Sequence, residues 1–239
     1  MAIPPSSGYN FTKTLHNDIY AAIDPIKSDL SQPSKVVLIT GAGRGIGRSI
    51  ALGYAESGVA CIIICARTSS ELDAVEKEII KISSSIRTRK FALDITDGKS
   101  VIALAKSVRE EGRLDVLVNN AGTSAPWTPI AESDAIAYWQ TFNVNFNGTY
   151  LMLKSFLPLL VETATKENRI VDVVNMSSIG ANITFPGASA YQVSKLAISR
   201  LTEFVALEYG RQGINCVSIN PGGVLTELSK DILAIRDCK

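Results

Sequence analysis

The chain has 239 residues, of which 46% are hydrophobic and 20% are charged, an ordinary globular composition that excludes a wholly disordered protein. Its 24 Lys and Arg and 23 Asp and Glu residues leave a formal net charge of +1, so the charge favours neither nucleic acid nor anionic lipid as a partner. The longest apolar run, residues 59–66, is too short for a membrane helix, and residues 1–10 lack the features of a secretory signal. We expect a cytoplasmic protein with no membrane or nucleic-acid partner.

Cysteine and histidine are too few for several kinds of site. None of the four cysteines forms a Cys-x-x-Cys pair, and the most closely spaced pair, Cys61 and Cys65, would be about 13 Å apart along a strand, too far for a disulfide. We interpret the cysteines as core residues in a reducing compartment. His16 is the single histidine, which disfavours zinc hydrolases and His-based esterases, so we expect no metal site.

Residues 1–34 differ from the rest of the chain. They contain four of the nine prolines and no strong periodicity, so we assign them to an N-terminal arm that precedes one domain at residues 35–239. The arm is either a loosely packed tail or a segment whose apolar side chains pack on the domain or on a neighbouring subunit. Those side chains are Phe11, Leu15, Tyr20 and Ile23.

From residue 35 onward, short apolar runs alternate with longer amphipathic stretches. The predicted strands are Lys35–Thr40, Ala60–Cys65, Thr88–Leu93, Asp115–Asn119, Ile170–Asn175 and Gly213–Ile219. The predicted helices are 46–57, 69–83, 97–112, 134–162 and 188–211. Nearly continuous β-branched runs are typical of strands that are buried on both faces. The alternation predicts an α/β fold, with one doubly wound parallel sheet of about six strands and helices on both faces.

A glycine-rich segment follows the first predicted strand and leads into the first predicted helix. It reads Thr40-Gly41-Ala42-Gly43-Arg44-Gly45-Ile46-Gly47. Glycines at such a turn let the backbone approach a pyrophosphate, whose charge is held by amides at the helix N-terminus. At this position the segment favours dinucleotide binding over a purely structural turn.

Five segments, in this order along residues 35–228, together resemble the short-chain dehydrogenase/reductase family. They are the glycine segment, Asn119-Asn120-Ala121-Gly122, Asn145, Ser178 with Tyr191-x-x-x-Lys195, and Pro221-Gly222-Gly223-Val224-Leu225-Thr226. The resemblance implies a Rossmann-like fold, and homodimers or homotetramers built from the helices predicted at 134–162 and 188–211. It also implies a lid and a last strand after Thr226, where thirteen residues remain, so we expect Ile214–Ile219 to be an apolar sheet edge. The arm or a partner subunit would cover that edge, or the chain aggregates easily, or it is a shortened form of a longer protein.

The resemblance also implies site residues. The catalytic set is Ser178, Tyr191, Lys195 and Asn145, with Asn145 in a proton relay behind the lysine. The cofactor contacts are Gly41, Arg44, Gly45, Ile46, Gly47, Arg67, Asp94, Asn120, Ala121, Gly122, Tyr191, Lys195, Pro221, Gly222, Val224 and Thr226. Among these, Asp94 would contact the adenine and Lys195 the nicotinamide ribose. Asp115, in contrast, we interpret as a structural residue where a loop enters its strand.

The residues themselves suggest how the chemistry works. Tyr191 and Lys195 are four apart on a predicted helix, so their side chains share a face. A nearby ammonium stabilises a phenolate, so we expect Lys195 to lower the pKa of Tyr191 from about 10. Tyr191 could then give a proton to a substrate oxygen or take one from it, while the hydroxyl of Ser178 holds that oxygen.

Strand two ends without the acid that usually binds the ribose of NAD. The segment Cys65-Ala66-Arg67-Thr68-Ser69 has no acid, and the next one is Glu71. Arg67 stands beside the expected position, and Arg44 offers a second guanidinium that could bind a 2′-phosphate. We predict NADP(H) as the cofactor; the alternative is that Arg67 is an ordinary exposed arginine.

Two loops would face the nicotinamide, at 123–130 and 179–190. Their apolar side chains are Trp127, Ile130, Ile179, Ile183 and Phe185, and neither loop has an arginine to bind a carboxylate or phosphate. We predict an NADP(H)-dependent oxidoreductase that transfers a hydride between the nicotinamide and a small apolar ketone or secondary alcohol. Reduction is favoured, although the same tyrosine serves oxidation. The alternative is a cofactor-binding protein with little or no activity that acts through interactions.

Overall fold

The structure is a computed structural model that describes Thr14, His16 and residues 18–229. The described residues form six strands: β1 (Val36–Thr40), β2 (Cys61–Ala66), β3 (Arg87–Ala92), β4 (Val116–Asn119), β5 (Val171–Met176) and β6 (Ile214–Ile219). They also form six α-helices: α1 (Gly45–Glu56), α2 (Ser69–Ile82), α3 (Gly98–Arg109), α4 (Ala135–Phe142), α5 (Thr149–Glu167) and α6 (Ser189–Tyr209). Every predicted strand is present, with its ends shifted by no more than one residue.

All strands are parallel and lie in the order β3-β2-β1-β4-β5-β6. The predicted Rossmann-like, doubly wound sheet is therefore confirmed, and β6 lies at an edge as expected. The chain order reverses between β1 and β4, so the loops that follow these two strands diverge and leave a crevice at their carboxyl ends. Ligands of open α/β sheets bind in such crevices.

The core consists of two apolar layers, one on each face of the sheet. Leu38 of β1 belongs to one layer, together with Leu104 of α3 and Phe156 of α5. The next residue, Ile39, belongs to the other layer, together with Leu72 of α2. Successive strand residues point to opposite faces, so a strand covered on both sides must be apolar throughout.

The predicted helix 134–162 is divided in the structure. A π-helical turn at Asn143–Gly148 separates α4 from α5, and α5 continues to Glu167. The hydroxyl of Thr149 donates to the carbonyl of Asn145 at 2.8 Å. At Gly148 a Cβ would lie 2.5 Å from Cδ1 of Ile95, so the helix passes very close to this side chain. The wider turn lets the helix continue past this contact and turns Asn145 inward.

The two edges of the sheet differ in protection. Edge strand β3 carries Arg87 and Arg89, which both form ion pairs with Glu111, and such charges discourage pairing with another chain. Edge strand β6 is more apolar, with Val217 and Ile219 exposed. In the arm, the amide of Gln32 donates to the carbonyl of Ser57 at the end of α1, at 2.8 Å. Phe11 and Leu15 lie outside the described residues, whereas Tyr20 and Ile23 are exposed.

Asp115 lies at the amino end of β4 and is almost fully buried. Its carboxylate accepts the backbone amide of Val36 at 2.8 Å and two N–H groups of Arg113 at 2.7 and 2.9 Å, and it also pairs with Arg169. These bonds join β1, the amino end of β4 and Arg169, which lies two residues before β5. The structure thus gives this residue the structural role that the sequence predicted.

Candidate active site

The glycine turn lies at the point where the sheet order reverses. Gly41 has a φ of +64°, and a Cβ on it would lie 2.8 Å from the Cα of Ala121 in the loop after β4. A Cβ on Gly47 would lie 2.2 Å from the carbonyl oxygen of Gly41. Only glycine fits either position. The turn is therefore packed tightly enough to place its backbone, rather than side chains, along the crevice.

Thr40 and Asn120 fix the turn against the loop after β4. The Thr40 hydroxyl accepts the backbone amides of Asn120 and Ala121 at 3.0 and 3.1 Å. The Asn120 side-chain amide donates to the carbonyls of Thr40 and Gly41 at 3.0 and 3.1 Å. The side chain of Asn120 therefore holds the glycine turn in its shape.

The segment Pro221–Thr226 approaches the same turn from β6. A Cβ on Gly45 would lie 3.3 Å from the methyl carbon of Thr226. Gly222 has a φ of +80°, and its amide donates to the side chain of Asn220 at 3.2 Å. The structure therefore brings together three of the segments that the sequence singled out for cofactor binding.

Asp94 follows β3, at the same end of the sheet. Its Oδ1 accepts both the amide and the hydroxyl of Thr96 at 2.8 Å, which closes the turn before α3. This contact is local, and the adenine contact of Asp94 remains a prediction.

Tyr191 and Lys195 lie on one face of α6, as their spacing predicted. The Lys195 ammonium lies 5.7 Å from the centroid of the Tyr191 ring and donates to the carbonyl of Met176, at the end of β5, at 2.8 Å. Ser178 follows β5, where its hydroxyl accepts the amide of Gly180 and caps a short 3-10 turn at 3.1 Å. The ends of β5 and α6 thus bring the three predicted catalytic side chains together.

Burial dominates the ionisation of this pair. The pKa of Lys195, which is only 4% exposed, is lowered to about 8 because burial penalises its charge. Burial also raises the pKa of Tyr191, and the hydrogen bond with Ser178 offsets part of that rise. The expectation that Lys195 lowers the pKa of Tyr191 was therefore wrong for the protein alone. The lysine lies against the ring face, and the loss of hydration outweighs the hydrogen bond with Ser178.

Asn145 connects the π-helical turn to the active-site helix. Its side chain accepts the amide of Thr123 at 2.8 Å and donates to the Thr123 carbonyl and the Ser194 hydroxyl, both at 2.9 Å. Ser194 in turn donates to the carbonyl of Tyr191 at 2.6 Å. Sequence reasoning missed Ser194, although its position directly before Lys195 on α6 is a signal that could have drawn attention to it.

Two arginines and one acid lie near the glycine turn. Nε of Arg44 is 3.9 Å from a carboxylate oxygen of Glu71, on α2. Arg67, after β2, is exposed, and among the described residues it makes no ion pair. The structure therefore adds Glu71 to the region where the sequence placed two cations.

The fold is shared with known proteins. A family model described as short chain dehydrogenase matches residues 35–236. The chain belongs to this family of oxidoreductases. The short chain dehydrogenase mpl6 of Monascus purpureus is 43% identical over 238 residues, which cover 97% of this chain and 78% of the relative.

Solved structures of the family are similar as well. Levodione reductase is 28% identical with a TM-score of 0.78, over 85% of this chain and 77% of that protein. NAD+-bound xylitol dehydrogenase is 29% identical with a TM-score of 0.72, over 79% and 70% of the two chains.

Short-chain dehydrogenases use a nicotinamide cofactor, and the residues of this member fit one. At Gly41 and Gly47 a side chain would collide with the loop after β4 and with the turn itself, and no side chain caps the backbone amides at the start of α1, which leaves them for a pyrophosphate. Of the described residues, no group of three His, Cys, Asp or Glu could hold a metal ion. No helix among them is long and apolar enough to cross a membrane.

The two predicted substrate loops of this dehydrogenase are in contact. The rings of Trp127 and Phe185 are stacked, with their centroids 6.1 Å apart, and the amide of Thr128 donates to the carbonyl of Gly187 at 3.2 Å. A Cβ on Gly187, whose φ is +81°, would lie 2.9 Å from the backbone of Trp127. The loops are therefore held together by a ring contact and a backbone hydrogen bond, and the loop 179–190 connects Ser178 to Tyr191 along the chain.

Proposed function

We propose that the protein is an NADP(H)-dependent oxidoreductase that transfers a hydride between the nicotinamide and a ketone or secondary alcohol. The observation that carries this proposal is the buried Lys195, held against the ring of Tyr191 by the carbonyl of Met176, with Ser178 beside them. A buried lysine is costly and needs a reason. A binding protein without catalysis could use Lys195 to hold the ribose, but it would gain nothing from the Tyr191 hydroxyl and Ser178 beside it.

Tyr191 is the general acid or base in this proposal. The nicotinamide supplies or accepts the hydride when it is bound. In reduction the Tyr191 hydroxyl gives its proton to the substrate oxygen, and in oxidation it takes that proton back. Ser178 donates a hydrogen bond to the same oxygen, which stabilises developing negative charge. The preference for reduction follows from the proposed NADP(H) cofactor, because the same tyrosine serves both directions.

Lys195 and Asn145 support the proposed role of Tyr191 in proton transfer. A lysine whose pKa is about 8 exchanges its proton readily near neutral pH, so it can pass protons toward the phenol. Asn145 holds Ser194, and through it the backbone of Tyr191, in a fixed position. These contacts support a positioning role for Asn145, and the proton relay that the resemblance implied remains a proposal.

NADP(H) is the proposed cofactor because Arg44 and Arg67 are exposed cations on either side of the end of β2. A planar guanidinium suits phosphate oxygens. Neither β2 nor the segment that follows it contains an acid before Glu71. The related xylitol dehydrogenase carries NAD+, so both cofactors need to be measured.

The proposed substrate is small and apolar. Trp127 and Phe185 are stacked in the two predicted substrate loops, where Ile183 is also buried, and aromatic rings of this kind favour flat apolar carbonyl compounds. No arginine occurs in either loop to bind an acidic substrate.

We also propose a homodimer or homotetramer. A groove of about 540 Å³ lies between α5 and α6, and its lining includes Leu157, Val161 and Phe204. Leu207 lies on the same helix as Phe204 and is 81% exposed. Apolar surface of this extent usually marks an interface. The protein's mass in solution, compared with 25.6 kDa for one chain, tests the assembly.

The buried free thiols of Cys61, Cys65 and Cys216 support a reducing compartment, such as the cytoplasm.

The decisive experiment compares Tyr191→Phe with the wild type in NADPH oxidation, using a panel of aryl and alicyclic ketones. Loss of the proton donor should lower kcat by about 100-fold or more, while NADPH binding is retained. Tyr54→Phe is the matched control, because Tyr54 on α1 is half-buried like Tyr191, with its pKa raised to about 12. If NADPH binds but no ketone reacts, or if Tyr191→Phe keeps full activity, the inactive binding protein is the better description.

A further inference from the structure

A carboxylate faces the glycine turn from the first turn of α2. A Cβ on Gly43 would lie 2.6 Å from Oε2 of Glu71 and 2.9 Å from its Cβ. The other carboxylate oxygen of Glu71 lies 3.9 Å from Nε of Arg44. Glu71 therefore touches both the backbone and a cation of the turn that is proposed to bind the cofactor.

The fold places Glu71 there through two short connections. The amide of Ala42 donates to the carbonyl of Cys65 at 3.0 Å, which fixes the turn beside the end of β2. α2 begins at Ser69, only three residues after β2 ends at Ala66, so its first turn lies next to the same crevice. Glu71 thus comes close to the region where a strand-end acid would bind the ribose.

One arginine of this region has an acidic partner, and the other has none among the described residues. Arg44 is 62% exposed and Glu71 is 34% exposed in their side chains, so their ion pair is reachable by a ligand. Arg67 makes no ion pair among the described residues. A phosphate that enters here therefore meets one guanidinium without a counter-charge and one that already has a carboxylate.

The two nicotinamide cofactors respond to a carboxylate in opposite ways. NADPH carries a 2′-phosphate, which a carboxylate repels and with which it competes for arginine. NADH carries a 2′-hydroxyl, which can donate a hydrogen bond to a carboxylate. A single acid at this position can therefore change the ratio of the two affinities.

We propose that Glu71 is a specificity residue that lowers the preference for NADPH over NADH by competing with the 2′-phosphate for Arg44. This inference rests on the proposed function in one respect, because it takes Arg44 as a phosphate contact. It adds that the wild type prefers NADPH over NADH by less than it would if its arginines acted without Glu71.

The test is the dissociation constants of NADPH and NADH, measured by fluorescence titration without substrate. Glu71→Gln keeps the shape of the side chain and removes its charge. It should lower the Kd of NADPH by about threefold to fivefold, the range expected for a partly exposed ion pair, and should leave the Kd of NADH unchanged or raise it. In an Arg44→Gln background the same change should alter the Kd of NADPH by less than about 1.5-fold.

Glu78→Gln is the matched control. Glu78 lies on the same helix and pairs with Arg48, at 3.1 Å between Nε and the carboxylate, but it is two turns away from Glu71 along α2. This variant has the same net charge and should leave both dissociation constants unchanged. Thermal unfolding of each variant confirms that it is folded before titration.

Several outcomes overturn the proposal: an unchanged or higher Kd of NADPH in Glu71→Gln, equal tightening of both cofactors, the same effect from Glu78→Gln, or an effect that persists without Arg44. The cofactor preference is judged separately. If the wild type binds NADH more tightly than NADPH, the proposed NADP(H) preference fails, whereas the inference about Glu71 is decided by how the ratio changes.

Discussion

Lys195 makes the stability of the fold depend on pH in a defined direction. Burial lowers its pKa to about 8, from an ordinary value of 10.5. The unfolded chain binds this proton more tightly than the folded chain, so the charged lysine lowers the free energy of unfolding. The full cost applies below about pH 8, and it disappears as the pH rises toward 10.5. The full penalty is about 3 kcal/mol, and roughly 2.5 kcal/mol of it is lost between about pH 7 and about pH 10.

Lys195→Met isolates this effect, because methionine has a similar shape and no charge. Other groups act in the opposite direction at high pH: burial raises the pKa of Tyr54 and of Cys65 to about 12, and the unfolded chain ionises these groups first. Both proteins share that loss, so the difference between them reports the lysine alone.

The assay is urea unfolding of the wild type and Lys195→Met at a series of pH values. The free energy of unfolding of the wild type, minus that of the variant, should rise by about 2–3 kcal/mol from about pH 7 to about pH 10. A difference that stays constant over this range would refute the reasoning. A difference that falls would mean that an opposite charge stabilises the ammonium in the folded protein.

Two further substitutions test the scaffold. Gly47→Ala places a methyl group 2.2 Å from the Gly41 carbonyl oxygen. It should therefore destabilise the fold by about 1–3 kcal/mol and weaken NADPH binding. Unchanged values in thermal unfolding and in NADPH titration would contradict the tight packing of the turn. Asp115→Asn leaves Arg113 and Arg169 without their buried counter-charge, so it should cost about 3–5 kcal/mol in urea unfolding while the Kd of NADPH stays the same in folded protein. A change in that Kd would argue that Asp115 is more than structural.

The sequence was sufficient for the parts of the fold that depend on local patterns. The strands follow from apolar runs such as that of β1, because a strand covered on both faces has no polar position to interrupt the run. The shared face of Tyr191 and Lys195 follows from helical spacing alone. Asp115 could be assigned a structural role because it stands where a loop enters a strand.

Other features depend on contacts between distant segments. The π-helical turn at Asn143–Gly148 has the same apolar periodicity as the helices beside it, and its reason, the approach of Ile95, lies about 50 residues away in sequence. Glu71 was noted only as the first acid after β2, and its position against Gly43 needs the packing of α2. The pKa of Tyr191 was predicted in the wrong direction because proximity in sequence gives the charge of Lys195 but not the extent of burial.

A series of buried amides explains how the cofactor cradle and the catalytic helix keep a fixed relation. The Asn119 side chain, at the end of β4, donates to that of Asn175 on β5 at 2.8 Å, and Asn175 donates to Thr202 on α6 at 2.9 Å. The residue after Asn119 is Asn120, which holds the glycine turn, and the residue after Asn175 is Met176, whose carbonyl holds Lys195. Adjacent residues on two strands therefore position the backbone that cradles the cofactor and the ammonium that serves Tyr191. These groups are buried and their bonds lie across the sheet, so they link the strand ends on which the proposed cofactor cradle and the proposed catalytic lysine depend.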